Sequence, residues 1–552
     1  MLVKSQPFVI TSPSLEVINM AFGPEMIRLQ EAWINNTMKN ALVDRGESCS
    51  EGILLDLRCH RRDITLFISW STKLPGIFKI TRSQKKDLIT LFPRRSPLGE
   101  LLNGHLAGAY LLEARQIQRD RIMALEFSKL VSSSVNHRIT MIMELMDRST
   151  NICLLQDGII LECHKRLYPD TSDRVLLPGN TYSPPSPMLS QPHAGLSRGM
   201  IRVLQGYPNY PSTAAEMEHL LYSQDPLKTE WQAIQKGKDL FPIPKGLAEE
   251  YLPTLKDPLE LPSGIMEEHL IGEALATKRK KLLSIIDKKV TALQPQLPNP
   301  ELLERANRIK SVAEFLMSLP QGREGGKLFI TNWPGLEENT EVEIPNGTTP
   351  VEEAQRLFKE YRRLLRRHRA SEERAPVVRG EIATLEEQRA LLMGPISGQD
   401  LAALEAEIDT KGSKGNTRGK VRIPKGQEAP GVKRLNPSFG TIYVGLSAMG
   451  NREITFRIAK PDDIWFHVKD LPGSHVLLRP KDPKSPIAEE VLAVVASLAA
   501  WFSPARSESK AWVDYTQRKN LRPLPEKGVA GVRYKVFKSL LVQPKDPGEL
   551  GL

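Results

Sequence analysis

Cysteine is scarce: the 552 residues hold only Cys49, Cys59, Cys153 and Cys163, none in a CxxC pair. Such spacing builds neither a disulfide framework nor a redox motif, as expected of a reducing cytosol. Two Cys-His dipeptides, Cys59-His60 and Cys163-His164, invite a zinc site. On strands the two members of each dipeptide would point to opposite faces, and no third or fourth ligand stands nearby, so packed side chains and no metal are expected. Long apolar runs are missing as well. None reaches the ~18 residues of a membrane span. The opening MLVKSQPFVITSP has only a very short apolar run before Pro13, a poor secretory signal, so a cytoplasmic protein is expected. A Gly-rich nucleotide loop and a nucleophile–base motif are absent too, so neither an enzyme nor a cofactor is indicated.

What the chain has is positive charge. Lys and Arg number 76 against 65 Asp and Glu, a net +11 with an isoelectric point near 9.3. The surplus is uneven. Residues 356–369 hold seven Lys/Arg and one Glu, residues 411–434 eight and one, and residues 433–552 nineteen against twelve acids. Clusters of this kind favour an anionic partner, although a solvated face is the ordinary alternative for any one of them. A hydrophobic content of 40% and a charged content of 26% describe a globular protein with real cores. The length allows three to five domains at about 150 residues each.

The most informative stretch is DIWFHVKDLPGSHVLLR, Asp463 to Arg479. Ile464, Phe466 and Val468 alternate with Trp465, His467 and Lys469, so a strand would bury the first set and present the second. Asp470, Pro472 and Gly473 supply a turn, and His475 to Leu478 restarts an extended run. Trp465, His467, Lys469, His475 and Arg479 would then gather on one hairpin. An aromatic plane with donors beside it suits a base or a sugar-phosphate backbone. A half-buried hairpin with an ordinary polar face fits the pattern too.

Taken in order, the chain opens with a mixed domain. Glu25 to Met38 has helical spacing; Ile53–Leu57, Ile64–Trp70 and Ile117–Leu125 read as strands, with a short helix at Gly99 to Ala107. Turns at Gln156-Asp157-Gly158 and Pro178-Gly179 close the domain. Asp120-Arg121 would sit in a strand as a surface ion pair, and Asp56 and Arg58, two apart, would share a face. From Ile271 a heptad-like seam of Ile271, Leu275, Leu282, Ile286 and Leu293 appears, broken by Pro295, Pro298 and Pro300. A helix follows from Glu301 to Leu319, then two strands between Lys327 and Pro345. In TPVEEAQRLFKEYRRLLRRHR, Leu357, Tyr361, Leu364, Leu365 and His368 form one stripe, leaving Arg363, Arg366 and Arg367 for phosphate contact. A returning helix from Glu381 to Leu392, and another from Gln399 to Ile408, would complete an antiparallel coiled coil. Glycines at 412, 415, 419, 426 and 431 make residues 411–432 a basic linker.

DIWFHVKDLPGSHV resembles the core motif of the C-terminal domain of the NFACT family, and VDYTQRKNLR (Val513 to Arg522) its second hallmark, with a helix expected between them at Ile487 to Phe502. ELMDRSTNICLLQDGIILECHKR and RVLLPGNTYSPP resemble segments of that family's N-terminal domain, with Asp147 in place of the usual Gly. The usual Phe-Asp-Gly start is not evident. GLSRGMIRVLQ (Gly195 to Gln205) is similar to the family's helix-hairpin-helix region, and the TPVEE helix to its middle domain. The resemblance implies a multidomain α+β protein: a mixed N-terminal domain (1–190), a small helical helix-hairpin-helix-like region (191–262), an antiparallel coiled coil with a small strand insertion (263–410), a basic linker (411–432) and a C-terminal α+β RNA-binding domain (433–552).

It also implies a ribosome-associated quality-control factor that is not an enzyme. Its partners would be large ribosomal subunits carrying peptidyl-tRNA and a recruited tRNA, alanyl-tRNA in bacterial relatives, for mRNA-independent C-terminal tailing of stalled chains. Asp120 and Arg121 match an Asp-Arg pair implicated in holding tRNA, one contacting the RNA and the other orienting its neighbours. Trp465, His467, Lys469, His475, Arg479, Tyr515, Arg518 and Lys519 would serve RNA binding in the C-terminal domain. The family's N-terminal domain also resembles DNA glycosylases with an N-terminal proline nucleophile; Leu2 stands there instead, so that chemistry is absent. Some relatives are labelled fibronectin-binding. A surface adhesin needs an export route that the sequence does not show, so fibronectin is not the expected partner. A different RNA target fits the charge equally well.

Overall fold

The computed structural model describes residues 22–410 and 431–552, apart from 60–61, 94–95, 133–134, 187–192, 194, 208, 237–238, 248–253, 321–324, 483–484 and 524–530. The start of the chain, His60 and nearly all of the glycine-rich linker therefore lie outside the described residues. Two compact units make up the chain, Met1–Ala276 and Thr277–Leu552.

The first unit begins with α1 (Pro24–Thr37), where Pro24 occupies a first-turn position that needs no N–H and Glu25 meets the positive end of the helix dipole. Four strands follow, β1 (Leu42–Cys49), β2 (Gly52–Cys59), β3 (Arg62–Ser69) and β4 (Gly76–Ile80). Next come α2 (Arg82–Leu91), closed by a reciprocal Thr81–Gln84 capping box, and α3 (Pro97–Leu106), capped by Ser96. β5 (Tyr110–Gln116), β6 (Ile122–Ser132), β7 (Val135–Glu144), β8 (Asn151–Gln156) and β9 (Ile159–Cys163) complete a nine-stranded antiparallel sheet in the order β4-β3-β2-β1-β5-β6-β7-β8-β9. Asp157 and Gly158, both at positive φ, make the tight β8–β9 turn. Along β6, Met123, Leu125 and Phe127 enter the main core while Ile122 and Ala124 enter a second one on the other face. α4 (Arg198–Leu204), α5 (Ser212–Tyr222), the hairpin β10 (Trp231–Lys236) with β11 (Asp239–Pro244), and α6 (Leu261–Met266) pack on the main core. Asp56 and Arg58 do not pair with each other: Asp56 binds Lys85 and the Thr65 hydroxyl, and Arg58 binds Asp44.

α7 (Glu273–Leu293) leads into the second unit, followed by α8 (Pro300–Met317), the hairpin β12 (Gly326–Ile330) with β13 (Thr340–Ile344), α9 (Pro350–Met393) and α10 (Gly398–Thr410). The expected return at Glu381 is corrected here, because α9 is one continuous helix of 44 residues. Pro376 lies inside it and gives up one backbone bond, but buried Ala375 and Val378 on either side hold the helix through that position. The antiparallel partners of α9 are instead α7 and α8. Arg279 donates to the Gly394 carbonyl, Asp287 pairs with Arg389, and Arg305 pairs with Glu360, so the two shorter helices run in succession against α9 in the opposite direction.

The C-terminal sheet has six strands in the order β14-β15-β17-β16-β18-β21: β14 (Val432–Leu435), β15 (Gly440–Gly445), β16 (Ile464–Val468), β17 (Val476–Pro480), β18 (Ala511–Gln517) and, after the short pair β19 (Arg522–Pro523) and β20 (Val532–Arg533), β21 (Lys538–Val542). α12 (Glu489–Trp501) covers one face through Val495, Leu498 and Ala499 against Phe466, Val468 and Val513. α11 (Ala448–Glu453) and the wider helical turn Ile454–Ile458 bring Ile458 and Ala459, with Val532 and Tyr534, over Trp465 and Leu477 on the other face.

Candidate functional site

Asp120 and Arg121 occupy a turn between β5 and β6, which corrects the expectation that they sit within a strand. Gln118 (φ 57) and Arg119 (φ 51) adopt left-handed backbone at the turn centre, and the Asp120 N–H donates to the Ile117 carbonyl at 3.0 Å. The Asp120 carboxylate folds back to accept the Arg121 N–H at 2.7 Å, while the Gln116 side chain donates to the Asp120 carbonyl at 2.9 Å and to that of Pro24. Around this turn stand residues that carried no sequence signal. Glu25 is fully buried and accepts from the Ser197 N–H and hydroxyl at 2.9 and 2.8 Å. Burial raises its pKa, with the positive charge of Arg121 among the opposing influences. The Arg119 guanidinium lies 4.7 Å over the Tyr222 ring and 3.3 Å from Glu218. The Asp-Arg turn is therefore held by α1 on one side and by α5 with the Ser197 cap of α4 on the other. Arg121 is half-buried at this turn, and its charge acts on the buried Glu25 carboxyl.

The C-terminal candidates separate. Trp465 is only 1% exposed, because both faces of its sheet are covered. It stacks on His467 (5.5 Å, 11°), meets His475 edge-on at 5.1 Å, and lies against Tyr534. The expectation of a presented Trp–His face is thereby corrected: these side chains form an inner layer. His475 hydrogen-bonds Thr455 through Nδ1 (2.8 Å) and donates its backbone N–H to Asn451 Oδ1 (2.8 Å), and burial drives its imidazole well below the usual range. Burial likewise pulls His467 down to about 4, so both rings are neutral near pH 7. Arg479 is committed to Asp463 (2.7–3.2 Å), the Ile458 carbonyl (2.7 Å) and the Tyr443 ring (5.4 Å). Tyr515 sits on the opposite face, stacked on Phe466. Arg518 donates to the Thr455 carbonyl and lies over the Phe456 ring. Lys469 and Lys519 remain exposed, Lys519 3.5 Å from Asp462.

On α9, Leu364 and His368 are buried and Leu357, Tyr361 and Leu365 half-buried, as the stripe predicts, while Arg363, Arg366 and Arg367 are exposed. Arg362 and Arg366 donate back to the carbonyls of Phe358 and Arg362, which sets their guanidinium groups along the helix axis. Arg356, at the helix start, pairs with Glu353 and Glu360.

Cys153 and Cys163 face each other across β8 and β9 with sulfurs 2.9 Å apart, and His164 stacks on Trp70 at 4.2 Å. Among the described residues no group of three or more His, Cys, Asp or Glu is placed to hold a metal ion, and no helix is long and apolar enough to cross a membrane.

Residues 46–202, which include the Asp120–Arg121 turn, match the family described as NFACT N-terminal and middle domains. The chain is NFACT-like. The similarity extends well beyond those residues. A Streptococcus suis protein named Rqc2 homolog RqcH is 27% identical over 529 residues, covering 90% of this chain and 92% of that one. Its Bacillus subtilis namesake is 25% identical over 486 residues, 76% of this chain and 81% of that one. Among solved structures, the C-terminal part of the fibronectin/fibrinogen-binding protein of Streptococcus suis covers 50% of this NFACT-like chain and 96% of its own at 22% identity, with a TM-score of 0.34. The N-terminal part of the same protein covers 45% and 99% at 20% identity, with a TM-score of 0.35.

Proposed function

We propose that this chain is a ribosome-associated quality-control factor that binds large ribosomal subunits obstructed by peptidyl-tRNA and recruits a tRNA, alanyl-tRNA, for mRNA-independent C-terminal tailing of the stalled chain. The observation that carries this reading is the near end-to-end similarity to proteins named Rqc2 homolog RqcH, 90% of this chain against 92% of the relative. The supporting chemistry is a built Asp-Arg turn in the first unit and a run of exposed arginines on α9 of the second.

In this reading the peptide bond is made by the ribosome. The protein contributes orientation: holding two reactants in place converts an encounter into an intramolecular step. Arg121 contacts phosphate or base and Asp120 fixes the turn that carries it, while the α9 arginines anchor the chain to ribosomal RNA. Functionally the chain divides into an N-terminal tRNA-holding domain (1–190), a helix-hairpin-helix-like region (191–262), a coiled-coil middle (263–410), a linker (411–432) and an RNA-binding domain (433–552). The setting is cytoplasmic.

Sucrose-gradient sedimentation with stalled large subunits tests the reading. The chain is expected to travel with the subunits at low salt and to leave them steeply as salt rises, since each phosphate contact releases counterions. A chain that stays at the top of the gradient at low salt contradicts it.

A further inference from the structure

The sequence nominates Trp465 as the stacking plane of the C-terminal sheet, but the tryptophan the fold leaves open is Trp512 in β18, 52% exposed. It lies directly opposite Leu541 of β21, itself 46% exposed. On its other side the β16–β18 register, His467 opposite Asp514 and Val468 opposite Val513, brings Lys469 opposite Trp512, and the Lys469 N–H donates to the Trp512 carbonyl at 2.8 Å. Directly opposed residues of an antiparallel pair share a face. Lys469, Trp512 and Leu541 thus form one exposed row, and exposed Lys510 lies just before β18, two residues from Trp512 in the chain.

The next row inward is closed. Asp514 accepts from the Tyr534 and Ser539 hydroxyls at 2.9 and 2.6 Å, so its charge is turned into the sheet. Asp470 follows Lys469 and Glu508 lies two residues before Lys510 in the chain, both exposed, and Asp470 acts on Tyr534. What the row itself offers is an exposed indole between an aliphatic side chain and the Lys469 ammonium, with Lys510 at the entry to the strand.

A base pair inside a duplex hides the ring faces that an indole stacks on, whereas an unpaired base exposes them. We infer that Trp512 is a stacking platform for an unpaired nucleotide of RNA, with Lys469 and Lys510 taking the adjacent phosphates. This rests on the reading of the C-terminal domain as RNA-binding, and moves its aromatic plane from the buried Trp465 to the open Trp512.

The test uses the full chain and a labelled single-stranded oligouridylate of about 8 nucleotides, followed by fluorescence anisotropy, with a duplex of equal length beside it. The wild-type chain should prefer the single strand. Trp512→Ala should weaken single-strand binding roughly tenfold, the effect of losing one stacked base. Trp512→Phe should recover most of the affinity, and Lys469→Ala with Lys510→Ala should flatten the salt dependence by about two phosphate contacts. Melting curves of each variant should match the wild type, separating a binding defect from a folding one. Unchanged affinity in Trp512→Ala overturns the platform while leaving the RNA reading standing. A wild-type chain that binds neither RNA overturns both. Loss of self-association or of a protein contact in Trp512→Ala, with RNA affinity intact, assigns the face to a protein and overturns the proposal.

Discussion

Two tryptophans of one sheet illustrate how burial divides labour among residues. Trp465, enclosed by His467, His475, Tyr534 and Leu521, is a packing residue whose ring N–H has no acceptor among the described residues. Trp465→Ala should cost about 3–5 kcal/mol of stability. Trp512→Ala, at a half-open site, should cost about 0.5 kcal/mol. Urea unfolding of the two variants checks the contrast, and equal losses would contradict it. The alternation in IWFHV was legible as two faces, but periodicity says which residues share a face and not whether that face is covered. The cover comes from Ile458, Ala459, Val532 and Tyr534, distant segments with no pattern linking them to the strand.

Glu387 on α9 gives a pH-dependent signature at the same scale. It accepts from Asn451 at 2.7 Å, and burial, with Glu407 adding repulsion, pushes its carboxyl up to about 7. A carboxyl raised in the folded state stabilises it fully below the unfolded value near 4.5, and that contribution is lost as pH rises through about 7. Glu387→Gln keeps the acceptor and removes the ionisation. It should raise the melting temperature at pH about 8 and change it little at pH about 5. The opposite ranking in thermal melts would show that the carboxylate is accommodated.

At the scale of elements, α9 decides most. Its apolar stripe and its arginines were both visible in the sequence, because a 3.6-residue period maps directly onto helix faces. Its continuity was not, since Pro376 in a charged stretch reads as a break and only burial of Ala375 and Val378 overrides it. The β5–β6 turn was missed for a related reason. Gln118 and Arg119 take left-handed backbone that turn chemistry assigns to Gly or Asn, so IQRDRIMAL reads as uninterrupted strand. Reversing the charge of Arg363, Arg366 and Arg367 should weaken RNA binding severalfold and lower its salt slope by about three contacts. Thermal stability should shift by under about 0.5 kcal/mol, since all three are exposed. Equal affinity before and after reversal, measured by filter binding, returns the stripe to a solvated face.

For the whole molecule, the proposed function assigns two tasks to distinct surfaces. Under the proposed function, subunit docking would rest on several basic contacts, so the loss of one arginine would remove only a small part of it. tRNA holding would rest, in the proposed function, on a single turn in which Gln116 braces Asp120 and the Asp120 carboxylate accepts the Arg121 N–H, with Arg121 near Glu25. The direct measurement is immunoprecipitation of a chain carrying Asp120→Ala and Arg121→Ala, with tRNA and large-subunit RNA quantified from the same sample. The account predicts that tRNA is lost while large-subunit RNA is recovered at the wild-type level. Normal tRNA recovery, or joint loss of both RNAs, would contradict it.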